Sequence, residues 1–341
     1  MSAEANSNGY LAGSNLERVL RAGHFAVTAE LGPPQSAEGD VIRKKAALLR
    51  GCCEAANITD NQTAIVRMSS VVAGAILIQE GLEPVIQMTC RDRNRLAIQS
   101  DLLGAYALGA RNLLCLTGDH QTFGNHPGAK NVFDLDSIQL LQMVTAMRDE
   151  RIFQCGDAFK GQEPRFFIGA AAAPFAQPIE FRPHRLAKKA KAGANFIQTQ
   201  IVYDIEAFKG FMESVRALGV HEKTYILAGV GPLKSPGMAR HMKDEVPGIL
   251  VPDELIERMT RAGAPWAGKG ELTKEEKSAR AAAWKEEGIK IAIELIQQFR
   301  EIEGVAGVHI MAIEWEEAVK PIVEGSGLYP RPVVAEAGPA A

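Results

Sequence analysis

The sequence is short of several features that would narrow its class, and each shortage excludes something. Its start has neither a basic leader nor an apolar segment behind one, and no apolar run is long enough to cross a bilayer. A cytoplasmic protein is therefore expected. Neither sign of charge dominates: 38 Lys and Arg face 41 Asp and Glu, a formal net charge of −3. Strong attraction to nucleic acid or to an anionic membrane is not expected from that balance. The five cysteines, Cys52, Cys53, Cys90, Cys115 and Cys155, contain no C-x-x-C pair. Adjacent Cys52 and Cys53 suit neither a disulfide nor two ligands of one tetrahedral zinc, so reduced, buried thiols are expected. His120 and His126 share a loop but lack a clear third ligand, and no metal site is expected.

What the chain does have is rhythm. Short runs that are apolar on both faces recur at 25–31, 55–59, 84–89, 112–117, 166–171, 196–202, 225–230 and 308–313. Each is bounded by Gly, Asp or Pro, as buried parallel strands are. Longer amphipathic stretches predict helices over 38–51, 94–108, 137–150, 182–192, 205–218 and 274–303, with a further helix inside 238–277. Eight strand–helix alternations predict one (β/α)8 TIM barrel over residues 15–329, with small, polar or Pro-rich ends, 1–14 and 330–341, expected to be disordered. A doubly wound open sheet is the alternative. Against it, no run is followed by G-x-G-x-x-G. The long loop 118–136, rich in Gly, His, Asp and Asn, would lie over the barrel mouth.

In such barrels polar side chains at strand C-termini face the catalytic mouth. Those positions hold Glu30, Thr59 with Asp60, Thr89, Asp119, Gln198 or Gln200 with Asp204, and His309. Glu30 sits within the apolar run VTAEL. A carboxylate there must be paired or functional, and burial would raise its pKa toward that of a general acid. Pairing with a basic neighbour is the structural alternative. The basic segment Arg182, His184, Arg185, Lys188, Lys189 and Lys191 is either a solvated face or a helix start that holds a diphosphate.

Taken in order, the segments VTAELGPPQ, NITD, QMTCRDRNR, LLCLTGD and KKAKAGANFIQTQIVYD resemble the successive motifs of methylenetetrahydrofolate reductases. The similarity runs from Phe25 to Met311. It implies a flavoprotein that reduces 5,10-methylenetetrahydrofolate to 5-methyltetrahydrofolate, or runs the reverse. Glu30 matches the family's general acid, which protonates folate N10 and also contacts the substrate. Asp119 matches a carboxylate beside flavin and pterin that stabilises the 5-iminium cation. Gln200 matches a substrate-binding amide. Thr59, Gln87, Thr117, Gly118, Asp119 and Lys189 fall at cofactor-binding positions, Lys189 near the diphosphate.

Some positions depart from that pattern. Thr117-Gly118-Asp119 stands where many members have Arg-Gly-Asp, and Gln87 where a His is frequent. The segment Ala173 to Pro178, APFAQP, replaces a Tyr-Pro-x-x-His-Pro motif, and Pro236 falls near the place of a stacking aromatic. The implied cofactor is FAD, with FMN as the alternative. The electron source is NADH or a partner subunit containing zinc or iron–sulfur clusters, because the TGDHQ and AKNVFDLDS wording resembles reductases of anaerobic one-carbon pathways. An oligomer is expected. A flavin-free, pterin-binding methyltransferase barrel that passes a methyl group to a corrinoid protein is the competing reading.

Overall fold

The computed structural model describes residues 10–335. Its eight strands are β1 (Ala26–Leu31), β2 (Ala55–Ile58), β3 (Pro84–Thr89), β4 (Asn112–Leu116), β5 (Phe167–Ala172), β6 (Phe196–Ile201), β7 (Tyr225–Val230) and β8 (Val305–Ile310). They close into a parallel barrel in sequence order, with β8 pairing back onto β1. The described helices are α1 (Asn15–Arg21), α2 (Gly39–Leu49), α3 (Ser70–Gln79), α4 (Arg95–Ala107), α5 (Ser137–Asp149) and α6 (Arg182–Lys191). They continue with α7 (Ile205–Ala217), α8 (Pro236–Glu245), α9 (Asp253–Ala262), α10 (Lys274–Arg300) and α11 (Val319–Gly325). The (β/α)8 expectation holds. None of these helices is long and apolar enough to cross a membrane.

Residues alternate across each strand, and both faces are covered. Outward side chains such as Val27, Ala29, Leu31, Ile58, Ile86, Ile168 and Val308 pack under the helices in the main core. Inward side chains form layers whose character changes along the axis. At the N-terminal end Ala26, Ala55, Val85, Leu114, Phe167, Phe196 and Leu227 form an apolar cluster closed by Leu16, Val19 and Leu20 of α1. The Phe167 and Phe196 rings stack there at 5.3 Å. Only glycine fits at 169, because a Cβ would come within 2.3 Å of the Phe196 ring. One layer up, Thr28, Asn57, Gln198 and His309 are polar and buried.

α1 plugs the bottom of the barrel because its ends are satisfied. Ser14 Oγ accepts from Glu17 N at 3.0 Å, and the buried Glu17 carboxylate accepts from the backbone of Leu11, Ala12 and Gly13. At the other end of the chain, Arg331 donates to the buried Glu54 carboxylate at 2.7 Å. The parts of the two expected disordered ends that are described, 10–14 and 330–335, are thus partly tied to the barrel. The parts 1–9 and 336–341 lie outside the described residues.

Several elements differ from the sequence reading: α1 and α11 lie where no helix was expected, and α8 and α9 stand where one was. β8 lies three residues earlier than expected, at 305–310 rather than 308–313. Gly307 reads as a boundary but is a strand residue, opposite Ala26; a Cβ there would sit 2.4 Å from the Ala26 carbonyl oxygen. α3 was not expected, since SVVAGAILIQ has no polar stripe to set a helical period. Of the cysteines, four are buried and Cys155 is exposed; all five are free.

Candidate active site

The upper barrel opens into a cavity of about 280 Å³. Its walls include Glu30 from β1, Asn57 from β2, Gln87 from β3, Gln198 and Gln200 from β6, and His309 from β8. α6 contributes Arg182, Arg185 and Lys189, and small side chains at Ala171 to Ala173 leave room below them. Strand alternation explains this list. Glu30 lies two residues beyond Thr28 and faces inward with it, whereas on β6 a bulge between Gln198 and Ile201 brings Gln198, Thr199 and Gln200 together onto the cavity wall.

The cavity floor is a closed hydrogen-bond network. Asn57 Nδ2 donates to Gln198 Oε1 at 2.6 Å, and Gln198 Nε2 donates to Asn57 Oδ1 and to Thr28 Oγ1, both at 3.0 Å. Thr28 Oγ1 lies 3.0 Å from His309 Nδ1. Burial pushes the His309 imidazole down to about 3, so it is neutral at physiological pH. Above this floor Glu30 is half-buried, and its carboxyl makes no hydrogen bond to another described residue. Burial and the nearby Glu316 carboxylate push Glu30 up to about 7, against the pull of Lys45 and Arg67. It therefore holds a proton at near-neutral pH, as a general acid must.

The opposite wall is cationic. Arg182 donates to the Ala176 and Gln177 carbonyls, and Lys189 Nζ donates to the Ala171 carbonyl at 2.6 Å. Among the described residues none of Arg182, Arg185 and Lys189 has a carboxylate partner. Burial, then the charges of Arg185 and Arg182, lower the Lys189 ammonium to about 8. Three neighbouring cations with no ion-pair partner among the described residues are costly, and an anionic ligand would relieve them. The buried Thr59 hydroxyl also lacks a protein partner. Unpaired cations above a floor of alanines fit the phosphate and ring of a flavin.

Of the residues singled out from sequence, the fold brings Glu30, Gln87, Lys189, Gln198, Gln200 and His309 around this cavity, with Arg182 and Arg185 of the basic segment. Thr59, Thr117, Gly118 and Asp119 follow strand ends on the same rim but outside its lining. Thr117 Oγ1 accepts from Ser137 N at 3.1 Å and anchors α5. Gly118 turns the chain with φ of 91°, and Asp119 is exposed, its carbonyl accepting from Arg91 at 3.2 Å. Other candidates have structural partners. Asp60 accepts from Thr89 N, Thr89 Oγ1 and Arg93, and Asp204 caps α7 through Ala207 N. His120 and His126 are exposed and bond side chains within two residues of themselves. Sequence reasoning missed Thr28 and Asn57, whose signal was the period-2 step back from Glu30 and Thr59.

The fold and site define a (β/α)8 barrel whose C-terminal mouth sets a carboxyl across from a cationic wall. A family model, that of methylenetetrahydrofolate reductase, matches residues 15–327. The chain belongs to the methylenetetrahydrofolate reductase family. It is 26% identical over 209 residues to a probable methylenetetrahydrofolate reductase (NADPH) of Caenorhabditis elegans, covering 57% of this chain and 29% of that one. It is 27% identical over 259 residues to methylenetetrahydrofolate reductase 2 of Schizosaccharomyces pombe, covering 71% and 35%. The chain thus spans about a third of the length of these curated relatives. Among solved structures, the fold is similar to that of an uncharacterized Clostridium thermocellum protein that binds two copies of 5-methyl-5,6,7,8-tetrahydrofolic acid. The TM-score is 0.57 at 14% identity, covering 92% of this chain and all of that one.

Proposed function

We propose that this barrel interconverts 5,10-methylenetetrahydrofolate and 5-methyltetrahydrofolate with a bound flavin. The observation that carries the reading is Glu30, held half-protonated near neutral pH in a cavity whose far wall is three unpaired cations. The substrate methylene bridges two nitrogens, so N10 must gain a proton before that ring can open. Glu30 supplies this proton, and Asp119 on the same rim offers negative charge to the 5-iminium cation. Gln200 has its Oε1 engaged by Ile201 N at 3.0 Å, which leaves its amide N–H groups to meet an acceptor on the folate. Lys189, with Arg182 and Arg185, would hold the flavin phosphate; Thr59, Gln87, Thr117 and Gly118 would border its ring system. Bound flavin, FAD or FMN, supplies the hydride. The electron source is NADH or a zinc- or iron–sulfur-containing partner subunit of the kind used in anaerobic one-carbon pathways.

The test is direct. The purified full chain, supplied with flavin, should be yellow and should bleach under anaerobic conditions with 5-methyltetrahydrofolate. A protein that stays colourless with either flavin, yet demethylates 5-methyltetrahydrofolate in the presence of a corrinoid protein, would replace this reading with the methyltransferase one.

A further inference from the structure

Glu30 belongs to the walls of two cavities. The first is the site above. The second, of about 330 Å³, is lined by Gln35, Lys45, Gln62, Arg67 and Glu316 among others. The two linings share one residue, and it is Glu30. A liquid water takes up about 30 Å³, so the second cavity has room for a connected water chain, and its polar walls offer that chain partners. Arg67 shows the point: Nη1 donates to the Pro33 carbonyl at 3.0 Å, while Nε is buried without a protein acceptor. At the cavity wall Glu316, 7% exposed, lies 2.6 Å from Lys45 Nζ, and Lys45 also donates to the Gly32 carbonyl at 3.2 Å. That pair ties α2 to the turn after β8, beside Glu30.

A general acid loses its proton in every turnover and must recover it. Folate and cofactor in the first cavity would occupy the solvent path on that side. We propose that the second cavity is the proton port of Glu30, and that Glu316, held by Lys45, is the positioning residue that favours a protonated Glu30 at its inner end. This rests on the reading of Glu30 as the folate general acid. The balance is simple. Glu30 gives its carboxyl proton to the folate nitrogen, whose lone pair takes it. The carboxylate left behind takes a proton from a port water, and the hydroxide so formed is neutralised by a proton passed along the chain from bulk solvent. The reverse reaction runs the protons outward. The charged or titratable groups around Glu30 are Glu314 and Glu316 after β8, Lys45 on α2, Arg67 after β2, His309 on β8, and the α6 cations across the first cavity.

The experiment follows the Glu30 carboxyl by ¹³C NMR titration of the full chain without ligands, assigned with Glu30→Gln. The wild-type midpoint is expected near 7. Glu316→Gln removes a facing anion and should lower the midpoint; Lys45→Met removes a facing cation and should raise it. Opposite shifts show that both charges face Glu30, and the access route itself is read from Val41→Phe. Lys45→Met stands as the independent check where Glu316→Gln does not fold. Val41→Phe, which narrows the second cavity, should leave the midpoint in place, slow turnover several-fold and enlarge its D₂O effect. Midpoints unmoved in both charge variants, or a wild-type rate and isotope effect in Val41→Phe, would overturn the port. Opposite midpoint shifts alongside undiminished turnover in Glu30→Gln would instead overturn the general-acid reading.

Discussion

The two ends of the barrel interior are built on opposite principles. At the N-terminal end the inward layer is aliphatic and aromatic and sealed by α1, whose start is capped by Ser14. At the C-terminal end the inward layers hold, among the described residues, a carboxyl without a hydrogen bond, a hydroxyl without a partner and three cations with no ion-pair partner. The first arrangement stabilises the fold. The second costs stability, and near neutral pH it does so twice. Glu30 has a folded pKa above its unfolded one, about 7 against 4.5. Between those values the folded state binds more protons, so stability falls as pH rises through the window, and the loss is complete above 7. Lys189 has a folded pKa below its unfolded one, about 8 against 10.5. Its cost is complete below 8 and fades as pH rises toward 10.5, since the unfolded state then binds more protons. From pH 7 to 8 both penalties are in force, which is where a ligand-binding rim would be used.

Breaking the comparison from the top gives the largest effect. Glu30→Gln should lower folate turnover by roughly 10²- to 10⁴-fold, the usual contribution of a general acid. It should leave thermal stability unchanged or raised at pH 8, and flavin affinity intact. Unreduced turnover, followed by methyl-group formation, would remove Glu30 from the mechanism. Breaking it from the bottom should do the reverse. Phe196→Ala empties a site fully buried under α1 and should cost about 3–5 kcal/mol in a denaturant titration. Where the variant folds, the pH dependence of turnover should keep its shape, since no layer that touches substrate has lost a polar group.

Lys189→Met tests whether the cationic wall is held for a ligand. The wild type should gain stability between pH 8 and 10.5 through this group, on the order of 3 kcal/mol at most from a shift of this size. The variant should lose that pH dependence, be more stable than wild type at pH 7, and bind flavin at least tenfold more weakly. A variant that is less stable at pH 7 would mean that the Lys189 contact with the Ala171 carbonyl outweighs the burial of its charge.

How much of this contrast could be read from sequence differs between the ends as well. The βα rhythm was legible because strands covered on both faces are short, apolar and punctuated. Glu30 was legible because a lone carboxylate inside VTAEL has no apolar excuse. Thr28, Asn57 and Gln198 are less visible: they satisfy one another, so nothing local separates a floor network from ordinary polar residues in a strand. Glu316 was invisible. Its effect on Glu30 exists only because β1 and β8 are adjacent when the barrel closes. The three-residue offset of β8 has the same origin, since the need for glycine at 307 is set by the Ala26 carbonyl on β1. α3 was missed for the opposite reason, as its uniform apolarity gives no face to read.

The smallest perturbation asks whether the two ends are independent. Ser14→Ala removes the hydroxyl that accepts from Glu17 N at the start of α1. Losing such a cap costs about 1 kcal/mol, and here Glu17 keeps its bonds to Leu11, Ala12 and Gly13, so α1 should loosen rather than detach. Between that helix and the cavity lie the stacked Phe167 and Phe196 rings and the bonded Asn57–Gln198 pair. Close packing transmits strain, but a hydrogen-bonded layer with both amides satisfied has little freedom to pass it on. The Glu30 titration midpoint in Ser14→Ala should therefore match the wild type while the denaturation midpoint falls. A shift in the Glu30 midpoint would show that the apolar plug sets the geometry of the acid above it, and the barrel would have to be treated as one coupled column rather than two ends with separate tasks.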